Sequence, residues 1–252
     1  MLLTNAKVAQ IIELENSIHL LKVHCPDIAL NATPGQFCNI KVSESTFPLL
    51  RRPFSICDVD GENVFFMFNV LGEGTKILAH KKIGEDIDIL GPLGNGFNIS
   101  GDYEAAILAG GGLGVAPFPF LLKNIPEGKK TFAFIGGRTQ KDVVTYGLKN
   151  YEISTDDGSK GFKGNVVELL NDNLPLLSSM NIKIFGCGPT PMLRALKEFA
   201  VKNRFECEVS TECAMACGFG ICQGCPIDAL DKDGYYLVCK DGPVFDVRKV
   251  IL

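Results

Sequence analysis

Three cysteines in nine residues, Cys217, Cys222 and Cys225, stand among Gly218, Gly220 and Gly224 in the stretch MACGFGICQGC. A core of reduced thiols would hardly gather cysteine and glycine at that density. The spacing is C-x4-C-x2-C, and thirteen residues separate Cys225 from a further cysteine, Cys239. This is the plant-type ferredoxin arrangement for a [2Fe–2S] cluster. Such a loop must bring three thiolates around the cluster while its backbone N–H groups turn toward the sulfides, and small residues let the chain bend there. Zinc is the alternative. Zinc ribbons use paired C-x2-C knuckles, however, and only one pair here has that spacing. Cys213 falls outside the pattern, and Cys25, Cys38, Cys57 and Cys207 are expected in cores as small hydrophobes.

The stretch MLLTNAKVAQIIELE lacks a basic region, a long apolar run and a cleavage signal, so a cytoplasmic setting with reduced thiols is expected. Net charge is −4 with no long basic run, which argues against a nucleic-acid surface. His19, His24 and His80 are scattered and form no metal-ligand pattern. Residues 105–122 carry no charge, but their four glycines and two prolines suit a buried strand, a turn and a helix start better than a membrane span. At 252 residues the chain has room for two medium domains and a small third.

The first hundred residues read as short strands: KVAQIIELE, IHLLKVHC, QFCNIKV, NVFFMFNV and DIDILGPL, separated by Pro, Gly, Asn and Asp. This spacing predicts an antiparallel barrel or sandwich. The pattern changes near Asp102. AAILAG, TFAFIGG and NIKIFGCGP are continuous apolar strands, NVVELLND and PMLRALKEFAVKNR have helical period, and ECEVSTE is a last short strand. Strands alternating with helices predict a parallel sheet covered on both faces. The expected domains are 1–100, 101–210 and 211–252.

AILAGGGLGVAP (106–117) places Gly110, Gly111, Gly112 and Gly114 between a buried strand and a helix. Such a turn lets backbone N–H groups approach a pyrophosphate, although it is not the G-x-G-x-x-G fingerprint and glycine turns also serve packing. IFGCGPTPML (184–193) repeats the arrangement with Cys187, Gly188 and Pro189. Both turns fall at the carboxyl edge of a parallel sheet, where ligands bind. Cys187 reads either as packing or as a neighbour of a nicotinamide ring. In the barrel half, LLRRPFSI offers Arg52 and Ser55 around a proline bend, and GEGTKIL offers Thr75 and Lys76 at a helix start.

RRPFS, GEGTK, AGGGLGVAP and CGPTPML, in this order, resemble the ferredoxin–NADP reductase superfamily over roughly residues 1–210. With MACGFGICQGC and Cys239, the whole chain is similar to the electron-transfer subunits of NAD-dependent (class B) dihydroorotate dehydrogenase. The resemblance implies an antiparallel FAD-binding β-barrel, a Rossmann-like NAD-binding parallel sheet and a small C-terminal [2Fe–2S] domain. Arg52, Pro53, Phe54 and Ser55 would hold the flavin and its phosphates, Met67, Phe68 and Asn69 would lie along it, and Gly74 and Thr75 would meet its pyrophosphate. Gly110, Gly111, Gly112 and Gly114 would receive NADH, with Cys187, Gly188 and Pro189 beside it. Cys217, Cys222, Cys225 and Cys239 would ligate the cluster. Asn69 stands where the family often has Arg.

The implied activity passes a hydride from NADH to FAD and then single electrons to the cluster, with no acid–base dyad. The acceptor would be the FMN of a separate dihydroorotate dehydrogenase catalytic subunit in pyrimidine biosynthesis, two of each chain forming a heterotetramer. A substrate barrel of about 250 residues has no room in this chain. Alternatives are a related reductase subunit serving ferredoxin, sulfite or another acceptor, and a non-catalytic zinc-stabilised interaction protein.

Overall fold

The computed structural model describes residues 1–252. Six strands close the first barrel: β1 (Leu2–Glu13), β2 (Ile18–His24), β3 (Phe37–Lys41), β4 (Arg52–Asp60), β5 (Asn63–Asn69) and β6 (Asp86–Leu93). Their order is β1-β2-β5-β4-β3-β6, every neighbour is antiparallel, and β1 pairs with both β2 and β6. Closure leaves no free edge. The inward positions, among them Leu21, Val23, Ile40, Ile56, Phe66 and Ile89, form one buried apolar group. Helices α1 (Pro26–Asn31) and α2 (Glu73–Ala79) lie in the connections. The strand β4 was not among those expected, because RPFS reads as a proline bend. Pro53 sits opposite Asn39 in the β3–β4 ladder, near the first residue of the strand, where a missing donor is tolerated.

The second half is a seven-stranded sheet of β7 (Ala105–Gly111), β8 (Lys130–Gly137), β9 (Tyr151–Thr155), β10 (Phe162–Lys163), β11 (Ile182–Cys187), β12 (Glu206–Ser210) and an added last strand. Its order is β10-β9-β8-β7-β11-β12, all parallel. The helices α3 (Phe118–Asn124), α4 (Val166–Asp172), α5 (Leu174–Leu177) and α6 (Thr190–Asn203) complete it. Alternation along β7 shows why AAILAG is apolar throughout. Ala106 and Leu108 enter one buried group with Phe118, Ile135 and Phe185, whereas Ala105, Ile107 and Ala109 enter another with Leu170, Ile184 and Leu196. A strand buried on both faces has no polar side. The chain steps outward from β7 to β10 and then crosses to β11 on the other side, so the topological switch point lies between β7 and β11.

The cysteine segment follows β12. It forms a hairpin of β13 (Pro226–Asp228) and β14 (Tyr235–Leu237), and then β15 (Val244–Asp246) returns to pair antiparallel with β12. Its apolar group holds Cys225, Leu237, Val238, Cys239, Phe245 and Val250 together with Phe37 and Leu93 of the barrel. No helix is long and apolar enough to cross a membrane, and residues 105–122 are β7, a 3-10 turn over Gly112–Val115 and the start of α3.

Candidate functional site

A cleft with about 910 Å³ of empty space opens where barrel, sheet and cysteine segment meet. The barrel supplies Pro53, Phe54, Ser55, Met67, Phe68, Asn69 and Thr75; the sheet supplies Leu113, Cys187 and Ser210; the last segment supplies Glu212, Cys213 and Met215. Just over half of this wall is apolar, with a few convergent polar groups, the usual make-up of a small-molecule or cofactor site. Asn69 Oδ1 is buried without a hydrogen-bond donor, so the cleft presents an unused acceptor. Burial, with the nearby Glu212 carboxylate, pushes the Cys187 thiol well up, so it stays protonated and serves as a small apolar wall. Desolvation likewise raises the Glu212 carboxyl.

Two of the expected barrel residues lie beside this cleft rather than lining it. Arg52 donates to the carbonyl of Leu50, and a Cβ on Gly74 would come 3.3 Å from Arg52 Nε. The Thr75 hydroxyl accepts from the N–H groups of Leu71 and Gly72 at 3.0 and 3.2 Å, fixing the first turn of α2.

A second cleft, with about 950 Å³ of empty space, runs along the carboxyl edge of the sheet. Gly111, Gly112 and Pro189 line it with Gly136, Gly137, Arg138, Asp142, Asp156 and Asn165. Gly110, Gly114 and Gly188 do not line it. Gly114 lets the two glycine turns touch: a Cβ there would stand 2.4 Å from the Cys187 carbonyl oxygen and 2.6 Å from Gly188 Cα. Leu113 lines both clefts, so they meet at that residue.

Beyond the first cleft lie the thiols. Cys225 and Cys239 are buried with sulfurs 3.1 Å apart, and the N–H of Cys222 points at Cys217 Sγ from 3.5 Å. Burial would raise the Cys217 thiol, but the backbone N–H groups of Cys222, Phe219 and Ile221 bring it down to about 6. Desolvation and the neighbouring Cys225 push Cys239 up to about 12. No group of three or more His, Cys, Asp or Glu side chains is gathered to hold a single metal ion. The sulfurs instead form two pairs, Cys217 with Cys222 and Cys225 with Cys239. An all-thiol set in two pairs, with N–H groups aimed at sulfur, suits a two-iron cluster better than one ion. Gly218, at φ +82°, packs so closely on Asn39 of β3 that a Cβ would meet its Nδ2 at 2.0 Å; that amide donates to the Cys217 carbonyl at 3.3 Å. Cys213 and Met215 line the first cleft and also pack on the apolar group of Cys225 and Cys239, as does Phe37.

Residues 212–251 match the family model described as the iron–sulfur cluster binding domain of dihydroorotate dehydrogenase B. Over 235 residues, 87% of each chain, the sequence is 43% identical to the electron transfer subunit of dihydroorotate dehydrogenase B (NAD(+)) from Bacillus cereus strain G9842. Over 255 residues, 97% of each chain, it is 36% identical to the corresponding subunit of Fusobacterium nucleatum subsp. nucleatum. The chain belongs to this family. Among solved structures it is similar to a chain of the NADH-dependent reduced ferredoxin–NADP oxidoreductase described for flavin-based electron bifurcation, at a TM-score of 0.86 and 25% identity, covering 98% of this chain and 89% of that one. It is thus an oxidoreductase subunit on the ferredoxin–NADP reductase fold.

The structure adds wall residues that were not among the expected site residues. Leu113, Glu212 and Met215 reach the first cleft, and Arg138, Asp142, Asp156 and Asn165 reach the second. Only Leu113 and Met215 stand inside stretches singled out by their glycines or cysteines.

Proposed function

We propose that this chain takes electrons from NADH and delivers them, through FAD in the first cleft and a [2Fe–2S] cluster on Cys217, Cys222, Cys225 and Cys239, to the FMN of a separate dihydroorotate dehydrogenase catalytic subunit. The assembly is two of each chain, in the cytoplasm. Residues 1–100 serve the flavin, 101–210 the nicotinamide dinucleotide and 211–252 the cluster. The observation that carries this reading is the continuity of the three sites. Leu113 is a wall of both clefts, and Phe37, Cys213 and Met215 are shared by the flavin cleft and the cysteine group.

Bound FAD supplies the exchange between paired and single electrons, and the cluster carries one at a time. The rest is the protein's work. Pro53, Phe54, Met67 and Phe68 offer apolar faces for a flat ring, while Ser55 and Asn69 offer polar edges. Arg52, one residue before that wall, supplies a cation for a phosphate. Gly111 and Gly112 let backbone approach a pyrophosphate at the switch point. Protonated Cys187 and the side chains of Leu113 and Ala116 keep water from the junction where nicotinamide would meet the ring. The N–H groups around Cys217 hold it as thiolate, the form that binds iron.

Cys222 is exposed and belongs to the outer thiol pair, so Cys222→Ser tests the order of the path. Cluster assembly should fail while the barrel and sheet stay folded and NADH still bleaches the flavin in a stopped-flow experiment. Transfer to the catalytic subunit should then be lost. If the cluster-free variant drives that subunit at the normal rate, the cluster is off the main path.

A further inference from the structure

We propose that Asn39 of the barrel is a positioning residue for the cluster: its side-chain amide fixes the Cys217 turn against β3, and so sets how firmly the cluster is held and at what potential it is reduced. This rests on reading Cys217, Cys222, Cys225 and Cys239 as the ligands. Alternation along β3 comes first. Cys38 and Ile40 enter the apolar group inside the barrel, so Phe37 and Asn39 share the opposite face. On that face Phe37 packs with Cys225 and Cys239. Asn39 lies beside it, covered to 1% exposure.

A polar side chain in a buried seam is explained by its partners. The one side-chain hydrogen bond of Asn39 leaves the barrel: Nδ2 donates to the Cys217 carbonyl at 3.3 Å, across 178 residues of chain. Its Oδ1 is buried and accepts from nothing. Neither atom serves the barrel, and an apolar residue such as Phe37 would seal the seam without an orphaned acceptor. What Asn39 supplies is a fixed direction to the carbonyl of a ligand residue. The contact is tight from the loop side as well. Gly218 takes φ +82°, and a Cβ there would fall 2.0 Å from Nδ2. The same turn aims the Cys222 N–H at Cys217 Sγ from 3.5 Å, with the N–H groups of Phe219 and Ile221 on that sulfur too. Hydrogen bonds to cluster sulfurs favour the reduced, more negative form, so whatever holds the turn tunes the potential. Across the β3–β4 ladder Asn39 stands opposite Pro53, a wall of the first cleft. One residue pair therefore joins the flavin wall to the ligand turn.

The test uses the intact protein, purified anaerobically with its FAD. Asn39→Leu keeps the shape of the side chain and removes the donor. Chelator-driven loss of the cluster, followed by its visible absorption, should become about tenfold faster, as when a group supporting a metal ligand is lost. The cluster's midpoint potential in an EPR-monitored titration should fall and the EPR line shape should change, while FAD content stays that of the wild type. Gly218→Ala strikes the same contact and leaves β3 untouched, so it carries the test if Asn39→Leu loses FAD. Gly220→Ala controls for backbone strain: Gly220 is at φ +90°, but a Cβ there meets the side chains of Lys240 and Leu237 and not the barrel. Gly218→Ala should lower the potential more than Gly220→Ala does. A potential that stays or rises in Asn39→Leu, or equal shifts in the two glycine variants, overturns the assignment and leaves the cluster reading standing. If the wild type holds no iron and sulfide, the cluster reading falls and this assignment falls with it.

Discussion

Apolar groups of 20 and 18 buried residues cover the two faces of the parallel sheet, whereas the cysteine segment shares a group of only eight, two of them the thiols Cys225 and Cys239. The sheet's strands pair through continuous parallel ladders, and β7 is fully buried over Ala105–Ala109. The segment has two three-residue hairpin strands, a glycine loop with Gly218 and Gly220 at positive φ, and an exposed Cys222. The difference shows where each part gets its order. The sheet is held by its own side chains and presents a preformed cleft. The loop around Cys217–Cys225 has little apolar surface to bury, so its order depends on what the thiols bind.

The largest effect should come from the sheet side of this comparison. Phe185 is fully buried and packs edge-on against Phe97 at 5.5 Å, with Tyr103 at 6.2 Å. Phe185→Ala should destabilise the fold by about 3–5 kcal/mol, read as a lower denaturant midpoint. A change under about 1 kcal/mol would mean that the sheet core tolerates a cavity and is less decisive than its packing implies.

Removing iron with a chelator should do the reverse. Amide exchange around 213–225 should rise steeply while protection of β7, β8 and β11 stays as it was. The anchors that remain include Asn95, whose N–H donates to the Gly242 carbonyl at 2.6 Å, Lys197, whose Nζ donates to the Val250 carbonyl at 2.7 Å, and the β12–β15 ladder. Loss of protection throughout the sheet would show that the cluster stabilises the whole molecule and would erase the contrast.

The same contrast separates what sequence could reveal from what it could not. Features with a strict local requirement were legible: the apolar runs of β7 and β11, the two glycine turns and the C-x4-C-x2-C loop. Each is dictated by neighbours within a few residues. Short and half-exposed strands were not. YEIST of β9 carries Tyr151 and Glu152 outward, and FK of β10 is two residues long, so neither has a clear period. VFD of β15 is a strand only because the chain returns to β12, an arrangement set by a contact across more than thirty residues. Asp156 and Glu212 look like ordinary loop carboxylates. They become cleft residues only when two parallel strand ends, or a strand end and the barrel, come together.

The smallest effect probes the seam between the two regions. Asp246 of β15 pairs in register with Glu208 of β12 and is gripped by Arg248, whose Nη2 and Nε donate at 2.6 and 2.9 Å while its backbone N–H donates at 2.9 Å. Desolvation would raise this carboxyl, but the Arg248 hydrogen bonds outweigh it and hold the pKa below the usual aspartate value. A carboxyl depressed on folding contributes stability above its unfolded pKa, and that contribution disappears as pH falls through the lower, folded value. The Arg248 side chain is 64% exposed, so solvent screens the pair, and Asp246→Asn should cost only about 0.5–1 kcal/mol at neutral pH. The difference between wild type and variant should be full at pH 7, begin to shrink near pH 4 and vanish once the native carboxyl is protonated. Amide exchange in β15 should rise in the variant ahead of any change in β7. If the gap in stability persists unchanged into strong acid, backbone pairing alone joins the cysteine segment to the sheet, and the ion pair contributes nothing to the seam.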